Sequence, residues 1–312
     1  MTLDDTLTDK TVGWIGVGRM GYAMAQRLLS VGIDLTVYNR TREKAEPLVK
    51  LGAKIVDTPA DLAGCDIIFS MVSGPEVFID VILGETGLLS VDDHAPSLLI
   101  DCSTISTEAS AMVRNAAAAR GVSMIDAPVS GNAKVVEAGL LSIVASGDQA
   151  AFDQAAPYLD VLAQGVTYVG EGERARTVKI CHNLFLAAVT QSLAEVTVLA
   201  EKCGVPRHAL LDFINKSVMG SRFSQYKTPA FVHLDYTPTF TSTLLRKDLD
   251  LGLDMARDMD VPLPVTAQVR ERVQTLIDSG HADSDFAALL ELQGKAANLD
   301  LKPENCAIGT GL

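Results

Sequence analysis

The sequence predicts an α/β fold of the doubly wound type, followed by a second domain that is wholly helical. Three observations lead to this prediction. Short apolar runs alternate with helical patterns through the first half of the chain, a glycine-rich turn follows the first run, and strand signals stop after Gly170. The 312 residues also exceed the usual size of one domain, so we expect two hydrophobic cores.

The first half reads as short buried strands separated by helices. The predicted strands are Val12–Ile15, Leu35–Tyr38, Ala53–Val56, Asp66–Val72, Leu98–Asp101, Ser123–Ala127, Leu141–Ser146 and Val166–Val169. The helices predicted between them are one through Met20, Met24 and Leu28 that stops at Gly32, and others at Arg42–Leu51, Thr107–Arg120 and Ala150–Leu162. Because such alternation requires crossover connections, which are right-handed, we expect these strands to form one parallel sheet covered on both faces.

The second half is predicted to be helical throughout. From Arg174 to Cys203 no strand or turn signal interrupts a long helical stretch, which would span roughly 45 Å and pass from one domain to the other. Its six consecutive apolar residues, Leu184–Val189, predict a middle that is buried on all sides. Further helices are predicted around Arg207–Lys216, Leu244–Arg257, Val265–Ser279 and Phe286–Ala297.

The predicted domain boundaries follow this pattern. Residues 1–11 would form an N-terminal tail, residues 12–170 the sheet domain and residues 171–312 the helical domain, with an interdomain helix at about 174–203. The last segment, Leu301–Leu312, is expected to be loose.

Composition and charge exclude several classes of protein. Apolar residues make up 48% and charged residues 21%, which is ordinary for a packed globular protein. With 39 acidic and 26 basic side chains, the net charge of −13 would repel nucleic acid and anionic membranes. The acidic first ten residues are unlike a secretory signal, and no apolar run approaches transmembrane length, so we expect a cytoplasmic protein without a membrane partner.

Neither the cysteines nor the histidines predict a metal site. The five cysteines, at positions 65, 102, 181, 203 and 306, form no C-x-x-C pair, and the five histidines, at 94, 182, 208, 233 and 281, are scattered. We therefore expect reduced, mostly buried thiols and no bound metal.

A glycine-rich turn between the first strand and the first helix predicts a dinucleotide site of the Rossmann type. It consists of Gly16, Val17, Gly18, Arg19, Met20 and Gly21. In a G-x-G-x-x-G turn the first glycine allows the tight bend, the second lets a pyrophosphate approach the backbone, and the third lets the helix pack on the strand. The motif alone is weakly specific, but its position between strand and helix makes it a strong signal.

The end of the second strand predicts which dinucleotide binds. An NAD enzyme usually carries an acidic residue there, whereas this chain has Asn39, Arg40, Thr41 and Arg42. Arg40, with help from Arg42, can pair with a 2′-phosphate, which favours NADP(H). If these arginines are only solvated at a helix start, NAD(H) is usable as well.

Three further motifs are DCSTIS at Asp101–Ser106, DAPVSG at Asp126–Gly131 and KDL at Lys247–Leu249. They resemble, in that order, the segment beside the nicotinamide, the substrate loop and a cofactor-clamping motif of the β-hydroxyacid dehydrogenases. That family includes 3-hydroxyisobutyrate dehydrogenases and the tartronate semialdehyde, glyoxylate and succinate semialdehyde reductases. The resemblance runs in order from about Val12 to Leu299. It implies an NAD(P)-dependent enzyme that interconverts a small 3-hydroxy acid and its semialdehyde or oxo acid.

A lysine and an asparagine near the start of the long helix match the catalytic motif of this family. Lys179 and Asn183 are four residues apart, so a helix places them on one face. The resemblance implies that Lys179 is the general acid–base and that Asn183 positions the substrate or the lysine. The chemistry agrees, because hydride attack on an aldehyde creates an alkoxide that a protonated lysine can neutralise. From helix patterning alone, Lys179 at a solvated helix end stays an open alternative.

The resemblance also implies substrate contacts in the first domain. Ser130 and Gly131 would bind the substrate carboxylate through a hydroxyl and a backbone N–H, with Asn132 beside them. Thr104 would hold the substrate or the nicotinamide carboxamide through its hydroxyl. Capping of the next helix is an alternative role for Thr104.

Three more contacts are implied by the same resemblance. Phe240 would wall the substrate site, and Val72 and Lys247 would contact the cofactor. An ion pair of Lys247 with Asp248 or Asp250 on a helix surface is the alternative for that lysine.

The chain departs from the family pattern beside the substrate loop. Asn132 stands where the family commonly has a second glycine, Val135 and Val136 replace a Gly-Ala pair, and Leu140 replaces a threonine. These changes border the carboxylate-binding loop, so they leave the identity of the substrate unpredicted.

Two other functions stay open at this point. Imine reductases resemble this family but normally lack the catalytic lysine, so Lys179 argues against that activity. A catalytically silent, NADP-binding regulatory protein would need the fold but not both Lys179 and Asn183. Because the family forms dimers and tetramers through its helical domain, the resemblance also implies a homodimer or homotetramer.

Overall fold

The computed structural model describes residues 7 and 9–309, which fall into two compact units, Met1–Lys179 and Ile180–Leu312. Residues 1–6 and 8 of the predicted tail lie outside the described residues, as do residues 310–312. The first unit continues past residue 170 because the start of the long helix packs on it.

The first unit contains a six-stranded parallel sheet with the order β3-β2-β1-β4-β5-β6. The strands are β1 (Val12–Ile15), β2 (Leu35–Tyr38), β3 (Lys54–Ile55), β4 (Ile67–Ser70), β5 (Leu98–Asp101) and β6 (Ser123–Asp126). The helices of this part are α1 (Arg19–Ser30), α2 (Glu46–Val49), α3 (Pro75–Leu83) and α4 (Thr107–Ala119). The strand order reverses between β1 and β4, which is where doubly wound sheets bind their ligands, at the carboxyl ends of the strands.

A three-stranded sheet follows, joined to the end of β6 by the antiparallel bridge between Asp126 and Ser146, where the sequence predicted a parallel extension of the first sheet. It consists of β7 (Val129–Ser130), β8 (Leu141–Ala145) and β9 (Ala163–Tyr168), with α5 (Ala133–Glu137) and α6 (Gln149–Leu162) in the connections. The prediction of one continuous parallel sheet is therefore wrong. The connection from Ser130 to Leu141 is too short for the crossover that parallel strands need, so β8 returns antiparallel to β7.

The central strands β1, β4 and β5 are buried on both faces, which explains their apolar runs. On one face Trp14 stacks on Phe69 with 5.4 Å between the ring centroids. On the other face Ile15 and Ile68 belong to a second cluster of buried side chains. The doubly wound fold predicted from the sequence is confirmed in this sheet.

The helices from residue 174 onward are α7 (Arg174–Lys202), α8 (Arg207–Lys216), α9 (Arg222–His233), α10 (Ser242–Asp258), α11 (Pro264–Leu276) and α12 (Leu289–Ala296). Their core includes Phe231, Leu245 and Phe286, all buried. No strand lies among the described residues of the second unit, as predicted. The helix α9 was not predicted.

The middle of α7 differs from its prediction. Leu184 and Ala187 are buried, but Phe185 between them is 72% exposed, so the run is not buried on all sides. An apolar run does not show which face of a helix has partners. By length and composition alone α7 could also cross a membrane, with 44% of its apolar window buried in the protein. The prediction that no apolar run approaches transmembrane length is therefore wrong for α7. A core helix of a globular protein passes the same test of length and composition.

The C-terminal segment is held against the second unit, contrary to the expectation of a loose tail. The backbone N–H of Glu304 donates to Val232 O, and its carbonyl lies 2.9 Å from His233 Nδ1. The Glu304 carboxylate accepts from the N–H groups of Arg207 and His208, which open α8. A carboxylate at a helix N-terminus is favourable because it satisfies orphan N–H groups.

This tail also brings together side chains that look scattered in the sequence. His208 Nδ1 lies 2.8 Å from Glu304 Oε2, and the ligating atoms of His208, Glu304 and Cys306 lie within 4.8 Å of one another. Both carboxylate oxygens of Glu304 are engaged in capping α8. Capping therefore accounts for the position of this carboxylate.

Candidate active site

The turn after β1 has the geometry of a dinucleotide-binding loop. Gly16 has φ +96°, and a Cβ on Gly21 would lie 2.0 Å from Gly16 O, so neither position accepts a larger residue. A Cβ on Gly18 would meet nothing within 4 Å, and no side chain caps the first turn of α1. The open approach at Gly18 and the N–H groups of α1 therefore fit a pyrophosphate.

After β2, the two arginines that were predicted to bind a 2′-phosphate have different contacts. Asn39 Oδ1 accepts from Val17 N at 2.8 Å, and Asn39 Nδ2 donates to Thr41 O at 2.7 Å, so this side chain joins the two loops. Arg42 forms an ion pair with Asp57 at 2.6 Å. Arg40 is exposed, and no described carboxylate forms an ion pair with it. Of the two, Arg40 is the better placed to meet a phosphate.

The segment after β5 is tied down through Ser103. Its hydroxyl donates to Asp101 Oδ1 at 2.7 Å and accepts from Val72 N at 2.9 Å, which links the loops that follow β4 and β5. The cap of α4 is Ser106, whose hydroxyl accepts from Ala109 N. Thr104 is therefore not the cap of that helix, and the capping alternative for its side chain is removed.

The segment after β6 forms a tight turn at the end of β7. Gly131 has φ +143°, and a Cβ there would lie 2.8 Å from Val135 Cγ1, so only glycine fits. Ser130 precedes it at the end of β7. The Asn132 side chain accepts from Val135 N at 3.1 Å and caps α5. This capping role explains the residue that departs from the family pattern.

Lys179 lies in the second turn of α7 and is only 9% exposed. One turn before it, Arg176 is fully buried and bonds to Asp101 and Asp126 at the ends of β5 and β6. The alternative of a lysine on a solvated helix end does not agree with this burial.

In the second unit, Asn183 is buried and donates through its side-chain amide to Asp248 Oδ2. Its Oδ1 lies 2.9 Å from His182 Nδ1. Asp248 Oδ1 has the Lys247 ammonium at 2.9 Å, which is an ion pair without hydrogen-bond geometry. Asp248 of the KDL motif thus holds the Asn183 side chain. The ion pair between Lys247 and Asp248, which was the alternative role predicted for Lys247, is present.

Phe240, the predicted wall of the substrate site, is half-buried in the second unit. It packs edge-on against Phe286, with 5.7 Å between centroids. Its backbone N–H lies 3.4 Å from Asp285 Oδ2.

Two family descriptions together match nearly all of the chain. The NAD binding domain of 6-phosphogluconate dehydrogenase matches residues 11–170, and the NAD-binding region of NADP-dependent 3-hydroxyisobutyrate dehydrogenase matches residues 173–293. Glyoxylate/succinic semialdehyde reductase 2 of Arabidopsis thaliana, a chloroplastic protein, is 31% identical over 288 residues, covering 92% of this chain and 80% of that protein. The chain belongs to the β-hydroxyacid dehydrogenase family.

Two further comparisons agree. Glyoxylate/succinic semialdehyde reductase 1 of Arabidopsis thaliana is 32% identical, over 90% of this β-hydroxyacid dehydrogenase and 97% of that protein. The crystal structure of 3-hydroxyisobutyrate dehydrogenase from Salmonella typhimurium superposes with a TM-score of 0.83 at 27% identity, covering 91% of this chain and 100% of that one. The predictions of family, fold and NAD(P)-dependent oxidoreductase activity on hydroxy acids are confirmed.

Sequence reasoning missed two residues of this β-hydroxyacid dehydrogenase. Arg176 received no role, although an arginine one turn before Lys179, together with Asp101 and Asp126 at or beside the ends of two predicted strands, was a usable signal. Asp248 was seen only as an ion-pair partner of Lys247. Its bond to Asn183 spans 65 residues, so no local pattern could show it.

Proposed function

We propose that this β-hydroxyacid dehydrogenase interconverts a small 3-hydroxy acid and its semialdehyde or oxo acid, with Lys179 as proton donor and acceptor. The observation that supports this most strongly is the 9% exposure of Lys179 on α7. A lysine side chain is rarely buried to this extent without a task, because burial of a charged residue is costly. The two plant relatives are glyoxylate/succinic semialdehyde reductases, which favours a small aldehyde that bears a carboxylate as the substrate.

The residues of the first unit can perform the steps of this reaction. A dinucleotide held at the turn of residues 16–21 would supply or accept the hydride. Ser130 and the N–H of Gly131 would hold the carboxylate and so orient the reacting carbon. As the carbonyl is reduced, the Lys179 ammonium gives its proton to the developing alkoxide, and in the opposite direction the neutral amine removes the proton from the hydroxyl.

A substrate screen tests this proposal. NADPH oxidation is followed by its loss of absorbance with glyoxylate, succinate semialdehyde, tartronate semialdehyde, methylmalonate semialdehyde and a cyclic imine, and the matching hydroxy acids are run in reverse. Turnover of at least one pair is expected. NADPH binding without turnover of any of them would favour a silent regulatory protein, and turnover of a cyclic imine alone would favour an imine reductase.

The cofactor preference is proposed to depend on Arg40. This side chain is exposed after β2, whereas Arg42 is paired with Asp57. A guanidinium that meets a 2′-phosphate favours NADPH over NADH. A clear preference of the wild-type enzyme for NADH would contradict this assignment.

We also propose that the chain associates with copies of itself. The helical unit exposes several large apolar side chains, and the largest exposed fractions on its helices are 72% for Phe185, 64% for Leu199 and 70% for Phe213. Apolar groups grouped on one unit are typical of an interface between subunits. Sedimentation that shows a single monomeric species at micromolar concentration would contradict it.

A further inference from the structure

A fully buried guanidinium joins three segments of the first unit. Arg176 Nη2 lies 2.7 Å from Asp101 Oδ2 and 2.8 Å from Asp126 Oδ1. Its Nη1 donates to Ser103 O at 2.7 Å, and its Nε donates to Ser110 Oγ at 3.2 Å. The planar fork of one arginine therefore serves four acceptors at once, which a lysine cannot do.

The acceptors lie at the base of the proposed substrate site. Asp101 and Asp126 are the last residues of β5 and β6 and are directly opposite in the parallel register. The chain continues from them to Thr104 and to the turn at Ser130 and Gly131.

The arginine itself stands at the start of α7. It precedes Lys179 by three residues, so the two side chains project from neighbouring positions of one helix face. The same guanidinium thus contacts both β5 and β6, and it belongs to the helix that carries Lys179. The chain after these two strands carries the residues that were predicted to bind the substrate.

Stability alone does not explain this cluster. Burying an arginine and two carboxylates costs several kcal/mol per ion in lost hydration, and apolar residues of the same volume would often hold the fold equally well. The best-attested use of such buried ions is to select one arrangement among several. Here the selected arrangement is the mutual placement of α7, β5 and β6.

A second arginine extends the cluster and sets its charge. Arg114 Nη2 lies 2.7 Å from Asp126 Oδ2, and its Nε lies 2.8 Å from Glu173 Oε1. Two guanidiniums thus face the three carboxylates of Asp101, Asp126 and Glu173. Burial raises the pKa of Asp126 to about 7, against the lowering effect of Arg176 and Arg114. One proton on Asp126 makes the cluster neutral.

We propose that Arg176 is a positioning residue for catalysis: by tying α7 to the ends of β5 and β6, it sets the place of the Lys179 ammonium relative to a substrate held at Thr104 and Ser130. This inference rests on the proposed function, in which Lys179 transfers the proton. It assigns no contact between Arg176 and the substrate.

The test compares Arg176→Lys with Arg174→Lys, an exposed arginine on the same turn of α7. Active sites are counted by NADPH fluorescence titration, and kcat per site is measured with the best carbonyl substrate of the screen. We expect Arg176→Lys to lower kcat per site roughly ten- to a hundredfold, because misplacement by about 1 Å can cost that much. NADPH affinity should stay within about twofold, because the turn at residues 16–21 is untouched, and Arg174→Lys should match the wild type.

A purely structural role gives another pattern. If Arg176→Lys loses NADPH sites but keeps its kcat per remaining site, the positioning role is overturned. Should Arg176→Lys fail to fold, Asp101→Asn takes its place, since it keeps the shape and removes one charge that the fork holds. A smaller loss of kcat per site, roughly three- to tenfold, is then expected, and an unchanged kcat per site overturns the proposal.

Hydrogen exchange separates this proposal from the proposed function. If wild-type protein turns over no substrate of the screen, the proposed function fails, but amide exchange at residues 127–131 and 174–179 can still be compared. Faster exchange in both segments in Arg176→Lys than in Arg174→Lys supports the link that Arg176 provides. Equal exchange in the two variants overturns it.

Discussion

Each unit of the protein buries a cation against a carboxylate, but the two arrangements differ in what they hold. In the first unit, Arg176 spans Asp101 and Asp126 and stands one turn from Lys179. In the second, the Lys227 ammonium lies 2.5 Å from Asp285 Oδ1, with both side chains almost fully buried. The planar guanidinium of Arg176 joins the ends of β5 and β6 in the proposed active-site region, whereas the Lys227 ammonium joins α9 to Asp285 within the helical core.

The surroundings of Lys227 support this contrast. Its Nζ also donates to Thr239 Oγ1 at 3.0 Å and lies 4.2 Å from the centroid of the Phe286 ring. Asp285 accepts from Thr239 and from Ala287 N. All of these partners of Lys227 and Asp285 lie within the helical unit. In our proposal, similar chemistry thus serves catalytic geometry in the first unit and packing in the second.

The largest effect is expected from Lys179 itself, the residue that the Arg176 cluster would position. Lys179→Ala should lower kcat/KM roughly 10²- to 10⁴-fold, since one positioned proton donor is lost. NADPH affinity should remain nearly unchanged in a fluorescence titration. Equal turnover of Lys179→Ala and wild type would remove the lysine from the mechanism, and with it the reason for the cluster.

The second effect concerns the buried pair of the helical unit. Lys227→Ala leaves Asp285 buried without its cation, so the free energy of unfolding should fall by about 3–5 kcal/mol. Urea denaturation measures this change. The double variant Lys227→Met, Asp285→Asn should be less destabilised than Lys227→Ala, because no unpaired charge is left. A lower kcat per NADPH site in Lys227→Ala would break the contrast between the units.

An exposed arginine of the first unit provides a comparison with buried Arg176. Arg40→Ala should raise the KM for NADPH roughly tenfold, as expected for one lost charge-assisted hydrogen bond of about 1.5 kcal/mol, and should leave the KM for NADH unchanged. Arg42→Ala is the matched control, because Arg42 is paired with Asp57. A greater loss in Arg42→Ala than in Arg40→Ala would reverse the assignment.

The smallest expected effect is a dependence of stability on pH. In the folded chain burial raises the pKa of Asp126 from 3.8 to about 7, although Arg176 and Arg114 lower it and Glu173 raises it further. The folded state therefore holds a proton that the unfolded state releases, so this contribution is complete below about pH 4 and is lost as the pH rises through 7. Between pH 5 and 8 the urea midpoint of the wild type should fall relative to that of Asp126→Asn. Parallel curves would contradict the raised pKa.

The sequence predicted the large sheet well for a physical reason. Strands buried on both faces, such as Val12–Ile15 and Leu98–Asp101, are continuous apolar runs that periodicity analysis finds. The strand β7 was not predicted, and β8 and β9, which do pair in parallel, were predicted incorrectly to extend the large parallel sheet. The exposure of Phe185 depends on partners from distant parts of the chain, which an apolar run does not show.

The candidate site was predicted where a local motif marks a residue. The glycine turn, Lys179 and Gly131 are of this kind, and the structure gives their positions a reason in φ angles, close approaches and burial. Arg176 was missed because its partners Asp101 and Asp126 are distant in sequence. The signal in the sequence was that both aspartates stand at or beside strand ends, but no spacing links them to Arg176.

One side-by-side measurement tests the contrast most directly: kcat per NADPH site and the free energy of unfolding, for Arg176→Lys and Lys227→Ala in the same buffer. We expect Arg176→Lys to have the lower kcat per site of the two variants and Lys227→Ala to have the lower free energy of unfolding. If kcat per site falls in both variants in proportion to their loss of unfolding free energy, the two buried clusters have the same role. That result would contradict the positioning role of Arg176.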